Sequence, residues 1–368
     1  MYEKARNTVI DHRNKINIKL STTLYNHGVA GLFINPEHAL SFLSPKRERP
    51  NLRRNIAFYC SHIDDNTFET IATSLAEGVG VSSTARIQKV TNKTVLYVLV
   101  KAAKHIEKVS NMLLKNIKVS ECQLDEMWSF IGKKEKNLTA IEKLQEILGD
   151  AWIWIAFDAV NKIFLSTVIG KRNLHNAVNL IEKVKRVTAD MPDLFSSDQL
   201  KQYENSLLRV YGKMVYPIPK PASNRTPTPL FVPPDDLKYV QVVKEYENNR
   251  VKKVSRKIIF GDPIEIDRIL KTSIVSKKIN TSYVERGNGI IRHMDARCNR
   301  KTLRFSKCKP NHEHQLILSQ TYYHLCIPHK SLSKRYKQPT TPFMAAGLTD
   351  HVWNMRELLQ CHAEKLKE

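Results

Sequence analysis

Acidic residues are scarce in this chain: 36 Asp+Glu stand against 59 Lys+Arg over 368 residues, a net charge of +23. The basic residues run along the whole length instead of gathering in a tail, which points to a polyanionic partner, nucleic acid before an anionic membrane. No long basic amphipathic helix or lipidation signal favours the membrane. No apolar run approaches the ~18 residues of a membrane span either; AWIWIAF and VLYVLV have the length of a strand or a buried helix. The opening MYEKARNTVIDHRNK lacks the apolar stretch of a secretory signal. Six cysteines are scattered without a CxxC pair, so a disulfide framework is not expected and a reducing cytoplasm is. A GxxxxGK[ST] loop is missing, which argues against a nucleotide cofactor, and no GxSxG element or cysteine-nucleophile setting occurs. There is no internal repeat.

What remains is enough residues for two or three domains, with 42% hydrophobic content. Residues 1–62 form a segment of unclear structure containing a basic, Pro-flanked stretch, SPKRERPNLRR. Residues 63–116 read as helices. Phe68, Ile71, Ala72 and Leu75 recur at helical spacing; Ser82 or Ser83 can cap a second helix, and Thr91 a third. Short helices around a tight turn suggest a DNA-reading helix-turn-helix, with a plain helical packing unit as the alternative. Lys89 stands where such a turn prefers glycine.

From 117 the pattern shifts to strands. KVSECQLDEMWSF alternates in part, with Cys122, Leu124, Trp128 and Phe130 able to share a face. AWIWIAFD and KIFLSTVIG flank a short turn at Ala159–Asn161 and read as an antiparallel hairpin. Asn173 then caps an amphipathic helix striped by Leu174, Ala177, Val178, Ile181, Val184 and Val187, and DLFSSD forms a fourth strand. This order is that of a ribonuclease-H-like α/β mixed-sheet core spanning 117–330. A basic β-hairpin insertion at about 213–272 interrupts it, and a tail and helix over 331–368 follow.

Three acids carry the chemistry. Asp125 lies mid-strand among apolar and aromatic neighbours, where a charge is costly unless paired or metal-bound. Asp198 ends a strand, where α/β sheets place site residues. Glu285 lies one turn into a helix capped by Thr281 or Ser282, and Arg292, seven residues on, returns to nearly the same face. Gly289 between them leaves room for a sugar-phosphate backbone. Hard oxygen ligands of this kind suit a pair of divalent cations, Mg2+ or Mn2+, acting on phosphodiesters. Each acid also has a plainer reading: Asp125 with Glu126 as a strand end, Asp198 as a helix cap, Glu285 as a surface residue beside an arginine. Asp158 is a rival strand-end acid, but a tight turn favours Asp locally. Cys298, Cys308, His312 and His314 are spaced too irregularly for a zinc site, and a buried thiol with surface histidines is expected instead. Trp128, Trp152 and Trp154 are mostly core, with one ring free to stack on an extruded base.

DEMWSFIGKKEKN, AWIWIAFDAVNKIFLSTVIGKRN, SDQLKQY and INTSYVERGNGIIRHMDARCNRKTLRFSK together resemble DDE transposases of insertion sequences of the IS-one type, as does the C-terminal TPFMAAGLTDHVWNMRELL. The likeness covers roughly 65–360. It implies metal ligation by Asp125, Asp198 and Glu285, with Arg292 as a nearby basic residue, and places Tyr203 at a packing or DNA-contact position. It further implies cleavage at element ends, transfer of the 3′-OH into double-stranded target DNA, a homodimer or larger synaptic assembly, and a nucleoid-associated location. Three departures stand out: Gln199 where the family has glycine, no cysteine-rich N-terminal zinc element, and a long interval between Asp198 and Glu285. The alternatives are a metal-dependent nuclease of the same fold and a catalytically decayed DNA-binding derivative. Basic side chains in 131–136, 250–257 and 297–309 are the expected contacts to the DNA backbone.

Overall fold

The computed structural model describes residues 56–217, 228–248 and 250–362, so the basic stretch SPKRERPNLRR at 44–54 and residues 218–227 lie outside the described residues. The described chain opens with three helices. α1 (Asp65–Ala76) is capped by Asp64, whose carboxylate accepts from Thr67 N at 2.9 Å, and it buries the expected Phe68, Ile71, Ala72 and Leu75. α2 (Val81–Ile87) begins two or three residues earlier than a serine cap would place it: Gly80 is the N-cap, and Ser82 and Ser83 lie inside the helix. Lys89 takes φ +54°, the left-handed conformation that the turn into the next helix demands. α3 (Asn92–Leu113) starts at its Thr91 cap and buries Val95, Val98, Leu99, Ala102, Ile106 and Val109 along one side.

β1 (Glu121–Ile131) leads through α4 (Ala140–Gln145), closed by a Thr139–Glu142 capping box, into β2 (Gly149–Asp158). The turn to β3 (Ile163–Gly170) is held by Asp158, whose carboxylate accepts from Val160 N, Asn161 N and Asn161 Nδ2. Asp158 is therefore a turn residue, as its sequence setting suggested. α5 (Leu174–Val187), capped by Asn173, crosses to β4 (Leu194–Asp198), and α6 (Lys201–Tyr211) follows.

The expected basic hairpin forms, but not as a free insertion. β5 (Lys213–Val215) and β6 (Leu230–Val232) pair as a small separate ribbon. β7 (Tyr239–Glu247) and β8 (Arg250–Phe260) instead extend the main sheet. The cause lies in β7: Tyr239, Val240, Gln241 and Val242 are all buried, and once the strand pairs with β4, Tyr239 joins the cluster of Phe195 and Tyr203 on one face and Val240 that of Leu194 and Ile266 on the other. The result is an α/β fold on a six-stranded mixed sheet, ordered β3-β2-β1-β4-β7-β8. β2 runs antiparallel to both its neighbours β3 and β1, β4 and β7 run parallel to β1, and β8 returns antiparallel at the edge.

α7 (Pro263–Thr272) and α8 (Ser282–Met294) follow β8. α9 (Lys309–Cys326), α10 (Lys330–Tyr336), α11 (Pro342–Ala345) and α12 (Met355–Gln360) complete the described chain. Side-chain alternation along β1 separates two layers. Cys122 and Leu124 join the cluster that includes Ala177, Ile181 and Tyr203 from α5 and α6. Met127 and Ile131 join Val284, Ile291 and Met294 of α8 on the other side. Gly287 lets α8 sit close to the sheet, since a Cβ there would come within 3.2 Å of Phe164. Among the described residues no helix is long and apolar enough to cross a membrane.

α9 ties the helical region to the sheet. Its fully buried His324 accepts from Phe164 N through Nε2 at 3.0 Å and stacks on Phe343 at 4.8 Å. Burial pulls the imidazole down to about 3. The unfolded chain takes up this proton near the ordinary value of 6.5 and the folded chain does not, so stability contributed by neutral His324 is lost as pH falls. His324→Gln keeps the acceptor without the titration. The stability difference between wild type and variant should move in favour of the variant by roughly 3 kcal/mol between about pH 7 and about pH 4. Urea unfolding of both chains across that range checks it.

Candidate metal centre

β1 and β4 are parallel neighbours, with Leu124 opposite Ser197, so the next residues of each strand meet at one end of the pairing. Those residues are Asp125, Glu126 and Asp198, and each offers a carboxylate oxygen within 4.8 Å of the others. Among the described residues this is the acidic cluster that could hold a divalent cation.

Asp125 faces α8. Its Oδ2 accepts from Asn288 Nδ2 at 2.6 Å, and its Oδ1 accepts from Glu126 N at 2.8 Å. Burial, then the neighbouring charges of Asp198 and Glu126, push Asp125 up to about 7. Glu126 points to the opposite layer. Arg172 pairs with Oε1, and Tyr203 Oη donates to Oε2 at 3.0 Å. Burial and Asp198 still raise it, against the pull of Arg172 and Tyr203. Arg172 in turn lies over the Trp152 ring at 4.8 Å, and Tyr203 packs edge-on against Trp154 at 5.5 Å. Of the tryptophans, Trp154 is core and Trp128 and Trp152 are half-buried.

Asp198 sits at the end of β4. Burial raises it foremost; Arg172 and Lys244 draw it down and Glu285 pushes it up. Its Oδ1 is buried with no hydrogen-bond partner. An orphaned carboxylate oxygen inside a cluster of like charges is costly, and a divalent ion with hard oxygen ligands would satisfy it. The donor set and the orphaned atom thus fit the Mg2+ or Mn2+ expected from the sequence.

Glu285 stands apart from this tight cluster. It occupies the first turn of α8, half exposed, where its Oε1 accepts from Lys244 Nζ at 2.6 Å and Thr281 Oγ1 at 3.1 Å. Its charge is nonetheless felt at Asp198. The structure therefore brings Asp125 and Asp198 together directly, places Glu285 at the margin in an ion pair with β7, and puts Glu126 where the sequence reading put Glu285. Arg292 lies two turns along α8, half-buried, with Nε buried and unpartnered. Burial and Arg300 lower its pKa, opposed in part by the Asp125 carboxylate. Nothing lies within 4 Å of where a Gly289 Cβ would stand, so this face of α8 is open as its spacing implied. Gln199 is exposed.

Four participants were not singled out in sequence: Asn288, Arg172, Lys244 and the inward Glu126. Asn288 follows Glu285 by three residues, so helical spacing alone would have pointed to it. Arg172 and Lys244 come from β3–α5 and β7, and no local pattern marks them.

Arg172 is the cation paired with Glu126, whose side chain is 3% exposed. Removing it leaves a buried carboxylate beside two others. Because Arg172 itself is 42% exposed, the loss is tempered by solvent, and Arg172→Ala should cost roughly 2 kcal/mol. Adding Glu126→Gln should recover most of that loss, and denaturant unfolding of the two variants and their combination measures the coupling.

A scan against protein-family models finds no matching family, and a search of curated proteins finds no relative.

Proposed function

We propose that this protein is a DNA transposase built on a ribonuclease-H-like core, cutting at the ends of an insertion sequence and joining the freed 3′-OH to target DNA. The supporting observation is the meeting of Asp125, from the middle of β1, with Asp198, from the end of the parallel neighbour β4, around an unsatisfied carboxylate oxygen. The strand order β3-β2-β1-β4-β7, antiparallel for three strands and then parallel, is the arrangement the resemblance implies.

In this reading Asp125 and Asp198 hold divalent metal, and Glu285 joins them from α8 by exchanging Lys244 for the ion. A pair of Mg2+ or Mn2+ ions there would stabilise the attacking and departing oxygens of an in-line displacement. Asn288 fixes the Asp125 carboxylate, and Arg172 with Tyr203 engages both oxygens of Glu126, which ties up its carboxylate at the edge of the cluster. Arg292 steadies a phosphate that approaches over Gly289.

The surface suits a long polyanion. Arg250, Lys252, Lys253, Arg256 and Lys257 are exposed on the edge strand β8. Phe130 stacks on Phe305 at 5.0 Å and on half-buried Trp128 at 5.6 Å, with Lys134 and Lys307 over the rings, a platform for an unpaired base. The α2–α3 pair would read the element end, and a dimer would hold two ends together.

The test is to incubate the full chain and Mg2+ with a pre-cut element end and a supercoiled plasmid. End–plasmid joined products are expected. Nicking without joining would replace this reading with a nuclease of the same fold, and binding without either reaction would leave a DNA-binding derivative.

A further inference from the structure

A second group of ligating side chains lies away from the acidic centre. Asp295, Cys298 and His312 each offer a ligand atom within 4.8 Å of the others, and all three are buried, at 2%, 0% and 0% exposure. Asp295 follows the last residue of α8, and Cys298 closes the tight single turn Ala296–Cys298. His312 projects from the first turn of α9. The first two have two residues between them in a tight turn and the third is a histidine on the next helix, a three-ligand set that leaves the fourth position of a tetrahedral ion open.

The hydrogen bonding shows what this group lacks. Ser129 Oγ lies 2.7 Å from the Ala151 carbonyl oxygen and 3.1 Å from His312 Nε2. Its one proton goes to the carbonyl, which can only accept, so Ser129 Oγ must accept from His312 Nε2–H. The imidazole lone pair therefore resides on Nδ1, and Nδ1 is buried with no partner. Metal-ligating histidines are oriented in this way, one ring nitrogen donating to a protein oxygen while the other binds the ion. The remaining contact within the group is a long one, Cys298 Sγ to Asp295 Oδ2 at 3.6 Å. Asp295 Oδ1 is occupied by Arg297 N at 3.0 Å, which fixes the carboxylate and leaves Oδ2 toward the thiol.

We propose that Asp295, Cys298 and His312 bind a single zinc-class transition-metal ion. A thiolate with an imidazole and a carboxylate selects Zn2+ over Mg2+, so the site is chemically distinct from the all-oxygen centre at Asp125 and Asp198. Ligand atoms around a tetrahedral zinc stand roughly 3.3–3.8 Å apart, so closure from the present spacing requires only small side-chain movements. Binding displaces the Cys298 thiol proton to solvent; the thiolate and carboxylate then face the ion, with Arg297 Nη1 3.6 Å from Asp295 Oδ1 leaving one net positive charge, and water takes the fourth position. The ion would join the end of α8, the start of α9 and, through Ser129, the strand that carries Asp125. It would thereby fix the helix bearing Glu285, Asn288 and Arg292.

The experiment is metal analysis of the purified full chain, followed by exchange with Co2+. One tightly held zinc per chain is expected, with a sulfur-to-cobalt charge-transfer band in the near ultraviolet after exchange. Cys298→Ser should remove the band, and His312→Gln should weaken metal retention at least tenfold. Asp125→Asn should leave both intact, separating this site from the acidic centre. Folded wild-type chain that neither retains zinc nor develops the band would overturn the proposal. So would a band that survives in Cys298→Ser, since the thiolate would then belong to another cysteine. Far-ultraviolet circular dichroism identifies any variant that has not folded, and the wild-type cobalt titration decides the matter without variants.

Discussion

Asp125→Asn and Asp198→Asn should each lower DNA cleavage and joining by roughly a thousandfold, the loss of ~4 kcal/mol that a Lewis-acid centre supplies. The same Asp125 change should make the metal-free protein more stable. Asp125 is pushed up to about 7 by burial first, then by Asp198 and Glu126. A carboxyl raised above its unfolded value contributes fully at low pH and loses that contribution as pH rises through the folded value. Between about pH 4 and about pH 7 the wild type therefore gives up a few kcal/mol that the asparagine variant keeps. In EDTA at about pH 8, Asp125→Asn should melt above the wild type; at about pH 4 the two should converge. Saturating Mg2+ should raise the wild type and leave the variant nearly unmoved, because an ion that binds only the folded form stabilises it by mass action. Thermal scans under the three conditions check this. A variant less stable than wild type in alkaline EDTA would mean that Asp125 is not strained by its neighbours.

The second large effect separates the two glutamates that compete for the third ligand position. Glu285→Gln should reduce joining by roughly a hundredfold or more. Glu126→Gln should stay within about tenfold of wild type and act mainly on stability, since Tyr203 and Arg172 already engage both its oxygens. Lys244 now neutralises Glu285 at 2.6 Å, so the ion must outcompete that ammonium, and the Mg2+ requirement should ease in Lys244→Gln. Rates measured against Mg2+ concentration for the three variants give the ranking. The reverse order would place Glu126 on the metal and leave Glu285 as a surface ion pair.

The parts of this protein that sequence reasoning reached are those with local signals. β1 to β4 are largely apolar and punctuated by turn and cap signals, and Asn173 and Thr91 cap as their side chains suggest. Asp125 and Asp198 were legible because a charge among strand residues is conspicuous. β7 and β8 were legible as a hairpin but not as part of the main sheet, because Lys244 and the basic β8 make the pair look free, and the partner β4 lies some forty residues away in the chain. Glu126 read as half of a strand-end pair, although period-two alternation sends it to the opposite face from Asp125. His312 was expected at the surface and is fully buried. The reason is visible in α9, which buries Gln315, Ser319, Gln320 and His324 together with Leu316, Leu318 and Leu325, so polarity there does not report exposure.

The last described helix lies on the first. α12 packs Leu358 and Leu359 into the cluster that holds Phe68 and Ile71, Arg356 pairs with Glu69, and Ala57 N donates to the Leu359 carbonyl. During synthesis the helical unit at 65–113 thus waits, uncovered, for residues made some 290 positions later. A ribosome that stops short releases a chain whose first helices lack this cover, leaving Phe68 and Ile71 partly bared and the segment open to proteolysis.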